Sequence, residues 1–141
     1  MDDIQPGSCG TSYTIFRTWT ASDDCGNSTA FTQTIMVTDN EAPVFTFFPE
    51  DVTYTAGDAM EIIEPTAEDD CNEVTIEFDD SQDNSNVEVT VITRTWTATD
   101  ACGNSVSADQ IITVNEVLGC MDSVACNFDE GATYDDGSCD Y

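Results

Sequence analysis

The sequence predicts an all-β chain of repeated sandwich modules, and three observations carry that prediction. The stretch RTWTASDDCGNS at 17–28 returns as RTWTATDACGNS at 94–105, 77 positions on and identical at ten of twelve positions. Threonine, valine, isoleucine and aromatic residues recur in alternation with polar ones, which is how a pleated, half-buried strand is written. Clusters of Asp, Asn and Gly interrupt those runs at short intervals and supply turns. One small module per repeat suits such a period.

Only 16 residues precede Arg17, whereas more than fifty of the second repeat precede Arg94. The first repeat is therefore expected to hold just its final two strands, the pair that carries Trp19 and Phe31. Two strands alone are marginally stable. Two explanations stay open: the remainder lies upstream in a longer protein, or the hairpin completes its sandwich with strands from another molecule and so builds a filament.

The second repeat reads more fully. After Asn40-Glu41-Ala42-Pro43 come VFTFF, VTYTA, a turn at Ala56-Gly57-Asp58, MEIIEPTAE, VTIEF, an acidic turn over Asp79 to Asn86, VEVTVITRTWTAT, a turn from Asp100 to Asn104, and VSADQIITV. Those six runs approach the about seven strands of an immunoglobulin-like antiparallel β-sandwich, which is the fold expected. Period-2 reading places Ile92, Arg94, Trp96 and Ala98 on one inward face and Ala108, Gln110, Ile112 and Val114 on another. Trp96 and its repeat mate Trp19 are both expected in a core. The chain thus divides into a truncated repeat at 1–41, a complete repeat at 42–117, and a Cys/Asp-rich tail at 118–141.

Charge excludes several functions. With 29 acidic residues against Arg17 and Arg94, and no histidine, the formal charge is −27. Phosphate would repel such a surface, so nucleic-acid binding is not expected. Without histidine there is no Ser-His-Asp or Cys-His catalysis and no His-ligated metal. No apolar run approaches the roughly 18 to 20 residues that span a bilayer, so membrane insertion is not expected. Acidic repulsion of this density must be relieved by salt or bound cations. Paired carboxylates could serve a glycosidase, but every connection reads as a short turn with no cleft-forming insertion, so no enzyme activity is expected.

Seven cysteines without a CxxC spacing fit an oxidising, extracellular or cell-surface setting. The opening MDDIQPG has neither the basic nor the apolar part of a signal peptide, which is reconciled if the chain is a fragment or a mature segment.

In the sandwich topology three acidic segments converge at the pole where the first strand enters: the linker Asp39-Asn40-Glu41-Ala42-Pro43, the turn Glu68-Asp69-Asp70-Cys71-Asn72, and the turn Asp100-Ala101-Cys102-Gly103-Asn104. Cys71 and Cys102 are therefore expected to bond, and Cys9 and Cys25 to pair by elimination. Calcium takes six to eight oxygen ligands, and this pole offers Asp39, Asn40, Glu41, Glu68, Asp69, Asp70, Asp100 and Asn104. The bland alternative is a solvated acidic surface whose Asp and Asn side chains shape turns. In the tail a second oxygen-rich set, Asp122, Asn127, Asp129, Asp135 and Asp136, is crowded between Cys120 and Cys139. It is not an EF-hand, because a loop counted from Asn127 has Ala132 where glycine belongs and Ser138 where the bidentate Glu belongs. A disulfide-stapled calcium loop is expected instead, since so small a segment cannot bury a core of its own.

The pattern TWTATDxCGN, with the linker TDNEAPVF, resembles hyalin-type repeats, the immunoglobulin-like adhesion modules strung along surface proteins of Bacteroidota. The tail GCMDSVACNFDEGATYDDGSCDY resembles a C-terminal unit of secreted proteins from the same bacteria. The resemblance covers 11–117 and most of 119–141. It implies adhesion and extension from the cell surface, and it pairs Cys120 with Cys139, which frame the motif. Cys126 is then left free or bonded elsewhere. The linker is also similar to the acidic linker of cadherins, where calcium stiffens the joint between modules. Two weak modification signals are the sequon at Asn27 and the DSV triplet at Ser123, which looks like a Bacteroidota O-glycosylation motif.

The expected function is a structural repeat of an adhesin stalk or filament, stiffened by Ca²⁺ and partnered by neighbouring repeats or by other molecules of the same chain. The alternative is a module that binds surface glycans or proteins, for which Phe128, Tyr134 and Tyr141 are the exposed aromatic candidates.

Overall fold

A computed structural model describes residues 1–71 and 73–141; Asn72, placed by the sequence in the turn after Cys71, lies outside the described residues. The described residues form strands, turns and loops with no helix, and so none long and apolar enough to cross a membrane. The all-β expectation holds.

The first sheet has the order β1-β2-β3, with β1 spanning Asp2–Pro6, β2 Tyr13–Ser22 and β3 Ser28–Val37. Both pairings are antiparallel, with Asp2 opposite Arg17 and Trp19 opposite Phe31. The first repeat therefore holds three strands where the sequence reading expected two. The missed strand carries DDIQ at 2–5, which matches DDSQ at 79–82 at the same 77-residue offset.

In the second repeat β4 (Val44–Phe47) pairs with β6 (Thr66–Glu68). A four-stranded sheet has the order β5-β9-β8-β7, with β5 at Val52–Thr55, β7 at Val74–Asn86, β8 at Val89–Asp100 and β9 at Ser105–Asn115. β5 runs parallel to β9. Two local expectations fail. The acidic segment from Asp79 to Asn86 is the second half of β7 and not a turn, because Asp80 finds a guanidinium to neutralise it. Of MEIIEPTAE only the last three residues are a strand; Pro65, lacking an N–H, precedes it. In the tail β10 (Leu118–Gly119) and β11 (Tyr134–Asp135) make a two-stranded parallel pair.

By compactness the chain falls into two units. The first comprises Met1–Val44, Ala67–Thr75 and Ala98–Val106; the second comprises Phe45–Thr66, Ile76–Thr97 and Ser107–Tyr141.

Within the second unit, the alternation along β8 buries Ile92, Arg94 and Trp96, as the period-2 pattern predicts, and Gln110 and Ile112 are buried on β9. Trp96 is 1% exposed, packs against Phe78 with ring centroids 5.2 Å apart, and donates its indole N–H to Gln110 Oε1 at 3.2 Å. Arg94 is a charge on this inward face. Its Nε and Nη2 donate to the two carboxylate oxygens of Asp80 at 2.7 and 2.6 Å, and its guanidinium lies 4.2 Å from the Phe78 ring centroid. Those bonds hold the Asp80 carboxyl below the usual carboxylate range. A planar, bidentate fork stacked on an aromatic ring is a role that lysine does not fill.

In the first repeat the same residues recur without the cover. Arg17 makes a like bidentate pair, at 2.9 and 2.7 Å, but with Asp2, while the offset mate of Asp80 is Asp3; Trp19 reaches Gln33 at 3.4 Å, yet Trp19 is 58% and Phe31 71% exposed. The expectation of a core Trp19 is thus corrected. Residues 1–41 supply counterparts of β7, β8 and β9, but at the 77-residue offset Met1 stands where Phe78 packs on Trp96.

Candidate functional site

The two repeated turns are built identically. In each, one Asp carboxylate gathers the N–H groups of the turn: Asp23 Oδ1 accepts from Cys25 N at 3.0 Å and Asn27 N at 2.8 Å, and Asp100 Oδ1 accepts from Cys102 N and Asn104 N, both at 2.8 Å. The second carboxylate oxygen accepts from the Asn amide, at 2.7 Å from Asn27 and 2.8 Å from Asn104. Gly26 and Gly103 adopt φ of 88° and 90°, a left-handed conformation that explains the CGN motif. The amide of Asn27, with its backbone N–H, holds the Asp23 carboxyl below its ordinary range. Burial works against that effect at Asp100, but the Asn104 amide and backbone N–H donors overcome it and the carboxyl is again lowered. These rings fix the backbone and leave each cysteine side chain projecting from the turn.

Cys102 is bonded to Cys9, with Cα atoms 4.8 Å apart. Cys9 sits on the β1–β2 hairpin loop, residues 7–12. Gly7 N donates to Ser12 O at 2.8 Å and Ser12 N to Cys9 O at 2.9 Å, and the Ser12 hydroxyl donates to Cys9 O at 2.6 Å. A Cβ on Gly7 would stand 2.9 Å from the Ser12 backbone, so the loop requires glycine there. The bond therefore runs from a loop of the first repeat to a turn of the second.

This corrects two expected pairings. Cys71 is not bonded to Cys102, because Cys9 occupies the one bond that sulfur can form, and Cys71 is a free, exposed thiol. Cys9 cannot reach Cys25, which is also free and exposed, since the ten-residue β2 separates their loops by roughly 30 Å, far beyond the reach of a disulfide. The cause of the error was β1. Once DDIQ is recognised as the mate of DDSQ, Cys9 moves from a featureless leader onto a hairpin loop.

Within the first unit a cavity of about 380 Å³ is lined by Asp39, Asn40, Glu41, Asp69, Asp70 and Cys71, together with Thr11, Val37 and Thr38. Asp39, Asp69 and Cys71 place ligand atoms within 4.8 Å of one another, the one such set of acids and thiols found among the described residues. Asn104 Nδ2 donates to Asp39 O at 3.5 Å. The structure thus gathers Asp39, Asn40, Glu41, Asp69 and Asp70 around one cavity, whereas Asp100 and Asn104 are engaged with each other and Glu68 lies at the end of β6 outside its lining. Two carboxylates with further oxygens nearby suit a hard cation, and the thiol of Cys71 does not.

The tail is stapled between Cys120 and Cys139, as the resemblance implied, and Cys126 is free and exposed. Cys120 is 1% exposed and centres the segment. Its acidic residues mostly shape turns: Asp122, Asp129, Asp135 and Asp136 each accept from the N–H two residues on, at 2.9 to 3.0 Å. Asn127 donates to Ser138 O and accepts from Asp140 N, both at 2.7 Å, which ties the two ends together. The Tyr141 hydroxyl donates to Asp122 Oδ2 at 2.6 Å and lowers that carboxyl's pKa. Of the modification candidates, Ser123 is exposed, and the exposed Asn27 has its amide bonded to Asp23.

No protein-family model matches the chain, and no curated protein or solved structure is significantly similar to it.

Proposed function

We propose that the chain is a non-catalytic structural segment of an extracellular surface protein, in which hyalin-type, immunoglobulin-like sandwich repeats follow one another as a stalk or filament. The observation that carries this reading is the Cys9–Cys102 disulfide, which links a loop of one repeat to a turn of the next. A covalent bond beside the linker Asp39–Pro43 limits bending at a joint, which a spacer needs and an enzyme or a soluble carrier does not. Persistent disulfides also belong to an oxidising compartment. The repeats are the partners of one another, with boundaries at 1–41, 42–117 and 118–141. A glycan- or protein-binding module is the second reading, favoured by the exposed cross-strand pair Trp19 and Phe31; the same tryptophan position is core in the second repeat, so an uncovered sandwich face is the simpler account of it.

Calcium is the proposed cofactor of the joint, with Asp39 and Asp69 as principal ligands and Asn40, Glu41 and Asp70 close by. A cation held only by the folded chain adds RT ln(1 + [L]/Kd), about 2.7 kcal/mol at a hundred times Kd. Melting in millimolar Ca²⁺ is therefore expected several degrees above melting in EDTA, and Asp69→Asn is expected to remove most of the difference. An equal rise with Na⁺ at matched ionic strength would mean screening of the acidic surface and no site.

A further inference from the structure

The repeat gives a free cysteine a defined role. Cys25 and Cys102 occupy the same position of the same turn, held by the same Asp-centred ring of hydrogen bonds, yet Cys102 is bonded and Cys25 is free and exposed. What Cys102 bonds to is the β1–β2 hairpin loop of the repeat before it. The corresponding hairpin of the second repeat, between β7 and β8, has Asn86 at the offset position of Cys9, and the stapled tail follows that repeat. The cysteine pattern is thus directional: a turn cysteine at the leading end of each repeat, a loop cysteine at the trailing end of the first, and none at the trailing end of the second.

We propose that Cys25 is the acceptor half of a further inter-repeat disulfide, whose partner is a cysteine on the hairpin loop of a preceding repeat, of the Gly7–Ser12 type. The inference rests on the stalk reading for its context, but its chemistry rests on the bonded state of Cys102. Formation is a thiol–disulfide exchange. The Cys25 thiolate attacks the loop cysteine held as a mixed disulfide with a small thiol, the Cys25–loop S–S bond forms, and the small thiol leaves with the electron pair and takes up a proton. The oxidising equivalent comes from a disulfide donor of the glutathione class. The second repeat, with Asn86 at that place, offers no loop cysteine of this type.

Two experiments test this. In the first, Cys102→Ser releases Cys9, and the variant is oxidised in a glutathione redox buffer. A ladder of head-to-tail oligomers is expected, with Cys9–Cys25 as the mapped linkage and collapse to monomer in Cys25→Ser/Cys102→Ser. Oligomers linked through Cys71 or Cys126, or no Cys9–Cys25 linkage, would overturn the proposal. The second uses the unaltered chain, so a folding defect in the variant does not matter. The peptide QPGSCGTSY, residues 5–13, is offered as its glutathione mixed disulfide. Conjugation at Cys25 is expected to exceed that at Cys71 or Cys126 by about threefold or more, with the preference lost for a scrambled peptide. An even distribution, or a preference the scrambled peptide shares, refutes it. Either result is independent of calcium and of any adhesive activity, so a failure here is distinguishable from a failure of the stalk reading.

Discussion

Replacing Cys9 by serine is expected to lower stability by about 4 to 5 kcal/mol, the largest single effect in the chain. Cys9 and Cys102 are 93 residues apart. Closing a loop of that length removes so much freedom from the unfolded chain that loop entropy alone gives this magnitude. Cys102→Ser should match it, and the double variant should be no worse than either single one, since both remove one bond. Cys71→Ser should be nearly silent, because that thiol is exposed and unbonded. Denaturant unfolding of the four variants under non-reducing conditions is the check. A silent Cys9→Ser with a costly Cys71→Ser would transfer the bond to the pair expected from sequence.

The two tryptophans give the second large effect and its internal control. Trp96→Ala removes a ring that is 1% exposed, packed on Phe78 and bonded to Gln110, and is expected to cost about 3 to 5 kcal/mol. Trp19→Ala, at the same position of the repeated motif but 58% exposed, is expected to cost under about 1 kcal/mol in the isolated chain. The emission spectrum should follow: Trp19 contributes the red-shifted, iodide-quenched component and Trp96 the shielded one. Comparable costs for the two substitutions, with Trp19 shielded, would show that its face is covered in solution by another molecule of the chain.

The contrast between these tryptophans also marks what a sequence can and cannot say. The alternation that buries Ile92, Arg94 and Trp96 is a local property of one strand and was legible. So were the Asp-x-Cys-Gly-Asn turns, because their geometry is set within five residues. Whether Trp19 is covered depends on strands far from it in sequence, or absent, and the repeated motif carries no trace of that. The acidic run from Asp79 to Asn86 read as a turn for a related reason: what makes Asp80 tolerable in a strand is Arg94, fourteen residues away. The acids of the linker line one cavity with those near Cys71, as a linker that enters at that pole would bring them. Pairing the cysteines demanded one more strand. Cys71 and Cys102 were matched through their neighbouring turns, and with β1 unrecognised Cys9 had no place in the fold and was left to Cys25 by elimination.

The most direct test of the inter-repeat bond is peptide mapping of the oxidised chain after alkylation of its free thiols and digestion without reduction. A linked pair of peptides containing Cys9 and Cys102 is expected, together with Cys120–Cys139, and with Cys25, Cys71 and Cys126 alkylated. A Cys71–Cys102 linkage with Cys9 alkylated would contradict it, because the disulfide would then lie within the second repeat and none would run between the two.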